Sequence, residues 1–367
     1  MGYSAGSVDL FLTEIGTAAG PEEKLYLGFT FSFPVNQTSL AAGTLASWSK
    51  GFECPNAIGK DVVQLLQDAL DRKHIHVNCS ALVNDTAGSL MAAAYEHGHA
   101  LCGGIFGTGT NGAYVEKLQN LTKMGFSDKD LAAAREKGQD FMVVNTEWGA
   151  FDNDRHVLPF TVFDSRVDRI SINPRKQAFE KMISGMYLGE VTRNAILHLV
   201  DSQVIFNGFS SKSLNAHYGL DTAIMSALEA PSLPNSESAQ DPVRSIRKVI
   251  IDDLNIDAAL VSDADAITVA RVSEIVGTRG CRLSAVAIAA TVIQTGFDKP
   301  EAKGKKALFG LDGSLVQFYP RFEQRVRDAL RELVGEEVES RVQIELAMDG
   351  SGIGAALCAL AAKEMGQ

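Results

Sequence analysis

Residues 101–117 read LCGGIFGTGTNGAYVEK, and the way this stretch divides decides the fold. Leu101–Phe106 is a short apolar run of the kind a buried strand requires, and it stops at the glycine-rich GTGTNG. Gly107, Gly109 and Gly112 satisfy the G-x-G-x-x-G pattern of dinucleotide-binding turns. That fingerprint needs a helix directly after the glycines. Here Ala113 and Val115 alternate with Tyr114 and Glu116, which is the period of a second strand. The stretch therefore reads as strand, turn and returning strand, a hairpin whose turn can grip phosphate. A dinucleotide-binding oxidoreductase, resting on the glycines alone, is the weaker reading.

Working outward, helical and strand signals alternate, as in an α/β chain. Upstream, Asp61–Leu70 carries apolar residues at 62, 63, 65, 66, 69 and 70, the stripe of an amphipathic helix. Val77–Val83 predicts a buried strand ending at Asn84-Asp85-Thr86, and Gly88–Tyr95 a helix stopped near Gly98. Downstream, Phe141–Val144 predicts a strand ending in NTEWG. A helix is expected over Leu283–Ile293 and a strand over Ala307–Leu311, ending in Asp-Gly-Ser. Pro320 reads as the start of another helix. Val342–Met348 predicts a strand, and Ile353–Ala362 a helix of small residues. The Pro-, Ser- and acid-rich stretch 227–241 is expected to be a mobile surface loop.

Strand after strand thus ends in a turn of Gly with Asp, Asn or Thr, where α/β sheets place their chemistry. Turns in general use these residues, but four in one chain favour a binding cleft. Gly59-Lys60 lacks the rest of a G-x-x-x-x-G-K-[ST] loop, so this is not a P-loop protein. Three carboxylates, Asp85, Glu147 and Glu180, stand at element ends beside amides or aromatics: VNDT, NTEWG and QAFEKM. Carboxylates and Asn amides suit a ring of hydroxyls, and one carboxylate can take a hydroxyl proton. From spacing alone, each acid reads more readily as a solvated surface charge than as a site residue. Seven histidines form no HExxH pattern, and a metal held directly by the chain is not expected.

The formal net charge of the 367 residues is -11. That balance disfavours nucleic acid and anionic membrane surfaces as partners. An anionic ligand would need backbone amides, helix N-termini or a metal. No window is read as an uninterrupted membrane helix, and the first residues, MGYSAGSVDLFLTEIG, lack the features of a signal peptide. Five dispersed cysteines point to a reducing, cytoplasmic setting.

LGFTFSFPV (27–35) and ASWSKGF (46–52) resemble the sugar-binding signature of hexokinases. VNDT, FGTGTNGAY, NTEWGAFDN, FEKMISGMYLGE, GLDGS and DGSGIGAAL follow in that family's order. FPVNQTSLAAGTL and SGMYLGEV look most like fungal glucokinases. The resemblance implies a two-domain actin-like/sugar-kinase, ribonuclease H-like, α/β fold with a central cleft. Its small domain would span residues 1–83 with the last helix, from 352, returning to it, and its large domain 84–351. It implies ATP and glucose or a related hexose as ligands, with Mg²⁺ accompanying ATP, and transfer of the γ-phosphate to the sugar 6-hydroxyl.

By the same resemblance Asp85 is the general base. Ser32, Phe33, Ser49, Lys50, Asn84, Asn111, Glu147 and Glu180 would hold the sugar. Gly107, Thr108, Gly109, Gly185, Met186, Asp312, Gly313 and Ser314 would meet the nucleotide. One departure stands out. The family opens its small domain with a glycine-rich loop resembling LDLGGTN, and nothing like it occurs in residues 1–26 or elsewhere. The expectation is a chain that begins partway through the small domain, with an exposed sheet edge and weak turnover. A non-catalytic sugar-binding relative is the alternative.

Overall fold

The computed structural model describes residues 1–17, 25–48, 52–233 and 240–366. The chain begins with α1 (Gly2–Glu14), β1 (Leu25–Thr30), β2 (Val35–Ser39), β3 (Ala42–Leu45), α2 (Val62–Asp71) and β4 (Val77–Val83). The Asp61 side chain accepts hydrogen bonds from the amides of Val63 and Gln64, fixing the start of α2. Of the expected stripe, Val62, Val63, Leu66, Ala69 and Leu70 are buried and Leu65 is half-buried. Each fully buried large side chain there contributes roughly 1.5–3 kcal/mol. The buried ones share one hydrophobic cluster with Ala5, Phe31, Leu45 and Val77. β1 pairs in parallel with β4, and β2 with β3 as a hairpin. Among the described residues, β1 has no strand partner besides β4.

Next come α3 (Asp85–His97), β5 (Cys102–Phe106), β6 (Thr110–Lys117), α4 (Asp128–Glu136) and β7 (Phe141–Asn145). Helices then dominate: α5 (Val162–Ile170), α6 (Ala178–Ile183), α7 (Gly185–Asp201), α8 (Lys212–Asn215), α9 (Thr222–Glu229), α10 (Pro242–Asp252) and α11 (Asp263–Gln294). The chain finishes with β8 (Ala307–Asp312), α12 (Ser314–Phe318), α13 (Phe322–Val334), α14 (Glu336–Glu339), β9 (Val342–Leu346) and α15 (Gly350–Glu364). Five strands form one mixed sheet in the order β7-β6-β5-β8-β9. β5 and β6 are the antiparallel arms of the hairpin expected around GTGTNG, and β5 runs parallel to β8. A second and larger hydrophobic cluster joins this sheet to α6, α7, α11 and α13.

The last helix returns to the first part of the chain. α15 packs on α3, β1 and β4, and it does so through glycine. A Cβ on Gly354 would lie 2.1 Å from the Gly88 carbonyl oxygen, and one on Gly28 would lie 2.0 Å from that of Ala355. Only bare backbone fits at such an approach.

Several expectations need correction. α3 begins at Asp85 rather than Gly88, because Asn84 ends the strand and caps the helix at once. α11 is far longer than Leu283–Ile293, starting at Asp263 behind a Ser262–Asp265 capping box. Pro320 belongs to the turn after α12; Arg321 is left-handed (φ 58°) and the helix starts at Phe322. Within the expected loop 227–241, α9 continues through Glu229 because Met225 and Leu228 are buried; residues 234–239 lie outside the described set. One window of α11 is apolar enough to span a bilayer, contrary to expectation, but 61% of it is buried inside the fold as a core helix.

Candidate active site

Two cavities open on either side of the β5–β6 turn. The first, about 480 Å³, is lined by Ser32, Phe33, Asn84, Asp85, Asn111, Glu147 and Glu180. These come from a loop after β1, the start of α3, the β5–β6 hairpin, the end of β7 and α6. Residues separated by more than a hundred positions therefore meet in one cleft. Ser49 and Lys50 lie outside the described residues.

Local chemistry explains each position. The Asn84 side chain accepts from the Thr86 amide at 3.0 Å, and the Asp85 carboxylate accepts from the same amide at 2.8 Å. Across the cleft, Asn111 Nδ2 donates to Asn145 Oδ1 at 2.7 Å and to Glu147 Oε1 at 3.1 Å. Asn145 Nδ2 also donates to Glu147 Oε1, at 2.8 Å. The Glu147 backbone is left-handed, φ 50°, a conformation that a non-glycine residue keeps only where its surroundings hold it. Trp148 supplies that hold. It is buried, its indole N–H donates to Thr110 Oγ1 at 2.8 Å, and it stacks on Phe106. Glu180 is buried too, and its carboxylate accepts from the Thr110 amide at 3.0 Å. Phe33 joins an aromatic cluster with Phe31, Trp48 and Phe52; its ring centroid lies 4.8 Å from that of Trp48 in an edge-on contact.

The second cavity, about 490 Å³, is lined by Thr108, Gly185, Met186 and Ser314. The first residues of α7 and α9 line it, with the Asp221 carboxylate capping α9. Gly107 shapes it from behind: the Gly185 amide donates to the Gly107 carbonyl at 2.8 Å and the Met186 amide to the Thr108 carbonyl at 3.2 Å. Asp312 and Gly313 form the turn beside it, with Asp312 Oδ1 accepting from the Gly313 amide at 2.6 Å. Gly109 faces the first cavity instead. The GTGTNG turn is thus shared, Gly109, Thr110 and Asn111 facing one cavity and Thr108 the other.

Sequence reasoning did not single out Asn173, Lys176 and Gln177 in the first cavity, or Asp221, Thr222 and Tyr319 in the second. The Asn-Pro turn seven residues before Glu180 was a usable signal for the first group. The second group lies at the start of α9 and just past the end of α12, short helices without a motif. Beneath the second cavity Glu229 binds Arg325 Nη2 at 2.8 Å and the Tyr319 hydroxyl, joining α9 to α13.

Two cavities flanking one turn, in a mixed α/β framework, fit the sugar-kinase class. Two family models, both described as Hexokinase, match residues 1–95 and 101–361. The chain is 43% identical to the glucokinase of Aspergillus niger, over 94% of this chain and 70% of that protein. It is 38% identical to hexokinase-2 of Schizosaccharomyces pombe, over 98% and 74%. The hexokinase of Schistosoma mansoni, solved in complex with glucose, superposes with a TM-score of 0.83 at 34% identity, covering 98% of this chain and 74% of that one. The chain belongs to the hexokinase family.

Proposed function

We propose that this chain transfers the γ-phosphoryl group of ATP to the 6-hydroxyl of glucose or a related hexose. The observation that supports the reading is the shared GTGTNG turn, with a cleft lined by carboxylates and amides on one side and a second cavity of about 490 Å³ on the other. Asn84, Asn111, Glu147 and Glu180 would pair with the sugar hydroxyls, and Ser32 and Phe33 would close the opposite wall. Asp85 would take the proton of the attacking hydroxyl as its oxygen bonds to the γ-phosphorus and the bond to the β-phosphate oxygen breaks, releasing ADP. Such transfer depends on positioning and charge stabilisation more than on covalent help. Within this reading, residues 1–83 with the helix from 352 act as the small domain and 84–351 as the large one.

Magnesium fits the residues present. Among the described residues no three acidic, His or Cys side chains form a metal cage, and Mg²⁺ is generally held by substrate phosphates with one or two protein oxygens. The Thr108 and Ser314 hydroxyls and the Asp221 carboxylate are hard oxygens lining the second cavity, where the phosphates would carry the ion. Bound with ATP, the ion would neutralise phosphate charge. A cytoplasmic location belongs to the same proposal, with five free thiols suited to a reducing compartment.

Calorimetry with glucose and an assay of glucose 6-phosphate test the proposal together. Asp85→Ala should still bind glucose, with affinity only modestly reduced, while product formation falls to background. Equal losses in binding and turnover would refute Asp85 as the base.

A further inference from the structure

Segment 171–177 forms one wall of the sugar cleft through Asn173, Pro174, Lys176 and Gln177. It is an unusual piece of backbone. Arg175 and Gln177 both take left-handed conformations, φ 61° and 53°. Neither is glycine, so the segment keeps this shape only if neighbours impose it.

The neighbours that do so are two buried charges. Lys181, 3% exposed, donates from Nζ to Asp168 Oδ1 at 2.8 Å and to the Asn173 carbonyl at 2.8 Å. The Asp168 carboxylate also accepts from the Arg175 amide, at 3.0 and 3.2 Å to its two oxygens, and pairs with Arg155. The Ser171 hydroxyl donates to the Asp168 carbonyl at 2.7 Å. Residues 171, 173 and 175 are therefore each tied to Asp168 or Lys181. Lys181 directly follows Glu180 on α6, and successive helical side chains diverge by about 100°. Glu180 reaches the cleft from one side of α6 while Lys181 reaches Asp168 from another.

We propose that Lys181 and Asp168 are positioning residues for the hexose, holding segment 171–177 in the shape that completes the cleft. The inference rests on the sugar-binding reading of that cleft. Buried ion pairs add little net stability compared with apolar packing, but they restrict conformation. Here the pair's product is a wall of fixed shape. Removing Lys181 would leave Asp168 paired with Arg155 and bonded to the Arg175 amide, while the Asn173 carbonyl loses the side chain that holds it.

The test uses Lys181→Met, Lys181→Arg and Asp168→Asn in the full chain, with Glu147→Gln as a reference. Hexose affinity is measured by calorimetry, and nucleotide affinity with a non-hydrolysable ATP analogue and Mg²⁺. Lys181→Met should weaken hexose binding on the order of tenfold, with nucleotide affinity unchanged and the Arg175 amide exchanging faster in the free protein. Lys181→Arg should recover part of the loss, and Asp168→Asn should show the same split should Lys181→Met fail to fold. Hexose affinity within twofold of the parent overturns the proposal, as does a parallel fall in both affinities alongside the melting temperature. If Glu147→Gln leaves hexose binding untouched, the cleft reading itself fails, a result distinct from either.

Discussion

The backbone amide of Thr110 donates a 3.0 Å hydrogen bond to the carboxylate of Glu180, so a hairpin turn and a helix seventy residues further on share one anchor. The contact is buried and charge-assisted. Such bonds contribute about 1.5–3 kcal/mol. Glu180→Gln keeps the shape and removes the charge, and hexose affinity should fall roughly ten- to a hundredfold. Calorimetry against glucose checks this, and unchanged affinity would mean that Glu180 serves the fold alone.

Gly112 lies under the Trp148 ring, and a Cβ there would come within 2.1 Å of it. Gly112→Ala must push Trp148 aside and carry Glu147 with it. Overpacking of this kind costs about 1–3 kcal/mol. The expected result is a lower melting temperature together with red-shifted tryptophan emission and weaker hexose binding. Trp148 is one of two tryptophans, so the emission change is readable.

Acid should destabilise the chain partly through Asp164. Burial alone would raise its carboxyl, but two hydrogen bonds from Arg279, at 2.7 and 2.8 Å, and contacts from Thr161 hold it below the usual range. A carboxyl depressed in the folded state stabilises fully above the unfolded value, about 3.9, and loses that contribution as pH falls through the folded value. Asp164→Asn should therefore be less stable at neutral pH, with the gap to the parent narrowing below about pH 4. Urea unfolding at pH 7 and pH 3 checks this; a constant gap would contradict it.

The cysteines should differ sharply in reactivity. Burial pushes the thiols of Cys79, Cys102 and Cys281 up to about 12, and raises Cys358 as well. Cys54 alone is exposed. A thiol reagent at pH 8 should modify Cys54 first, with the buried three reacting only on unfolding. Mass spectrometry of the native protein after brief alkylation identifies the labelled peptide.

Strands and turns were legible in the sequence because their signals are local. Val77–Val83 and Ala307–Leu311 are short apolar runs bounded by Gly, Asp or Asn, and each became a strand within a residue of its expected end. The candidate site residues were picked out by long motifs in a fixed order, and the described ones line or adjoin two cavities. Less was readable where one residue has two duties. Asn84 ends β4 and caps α3, so the helix starts three residues early. The wall formed by Asn173–Gln177 depends on Asp168 and Lys181, a tertiary arrangement with no period or motif behind it. The first half of α11 was missed because its charged residues mask a buried face that only its neighbours define.

The seam between α3 and α15 has a mechanical consequence. Where Gly88 meets Ser351 and Gly354, backbone lies directly on backbone, as a shaft lies in a plain bearing. Asp85 sits about one turn upstream of Gly88, close to the axle. Any swing of the β2–β3 hairpin and the Phe33–Trp48 rim about that axle would sweep the rim through a long arc while the carboxylate hardly travels. The proposed proton acceptor would then stay in register with the hydroxyl-binding groups through the whole stroke, much as the pin of a pair of shears stays still while its blades move.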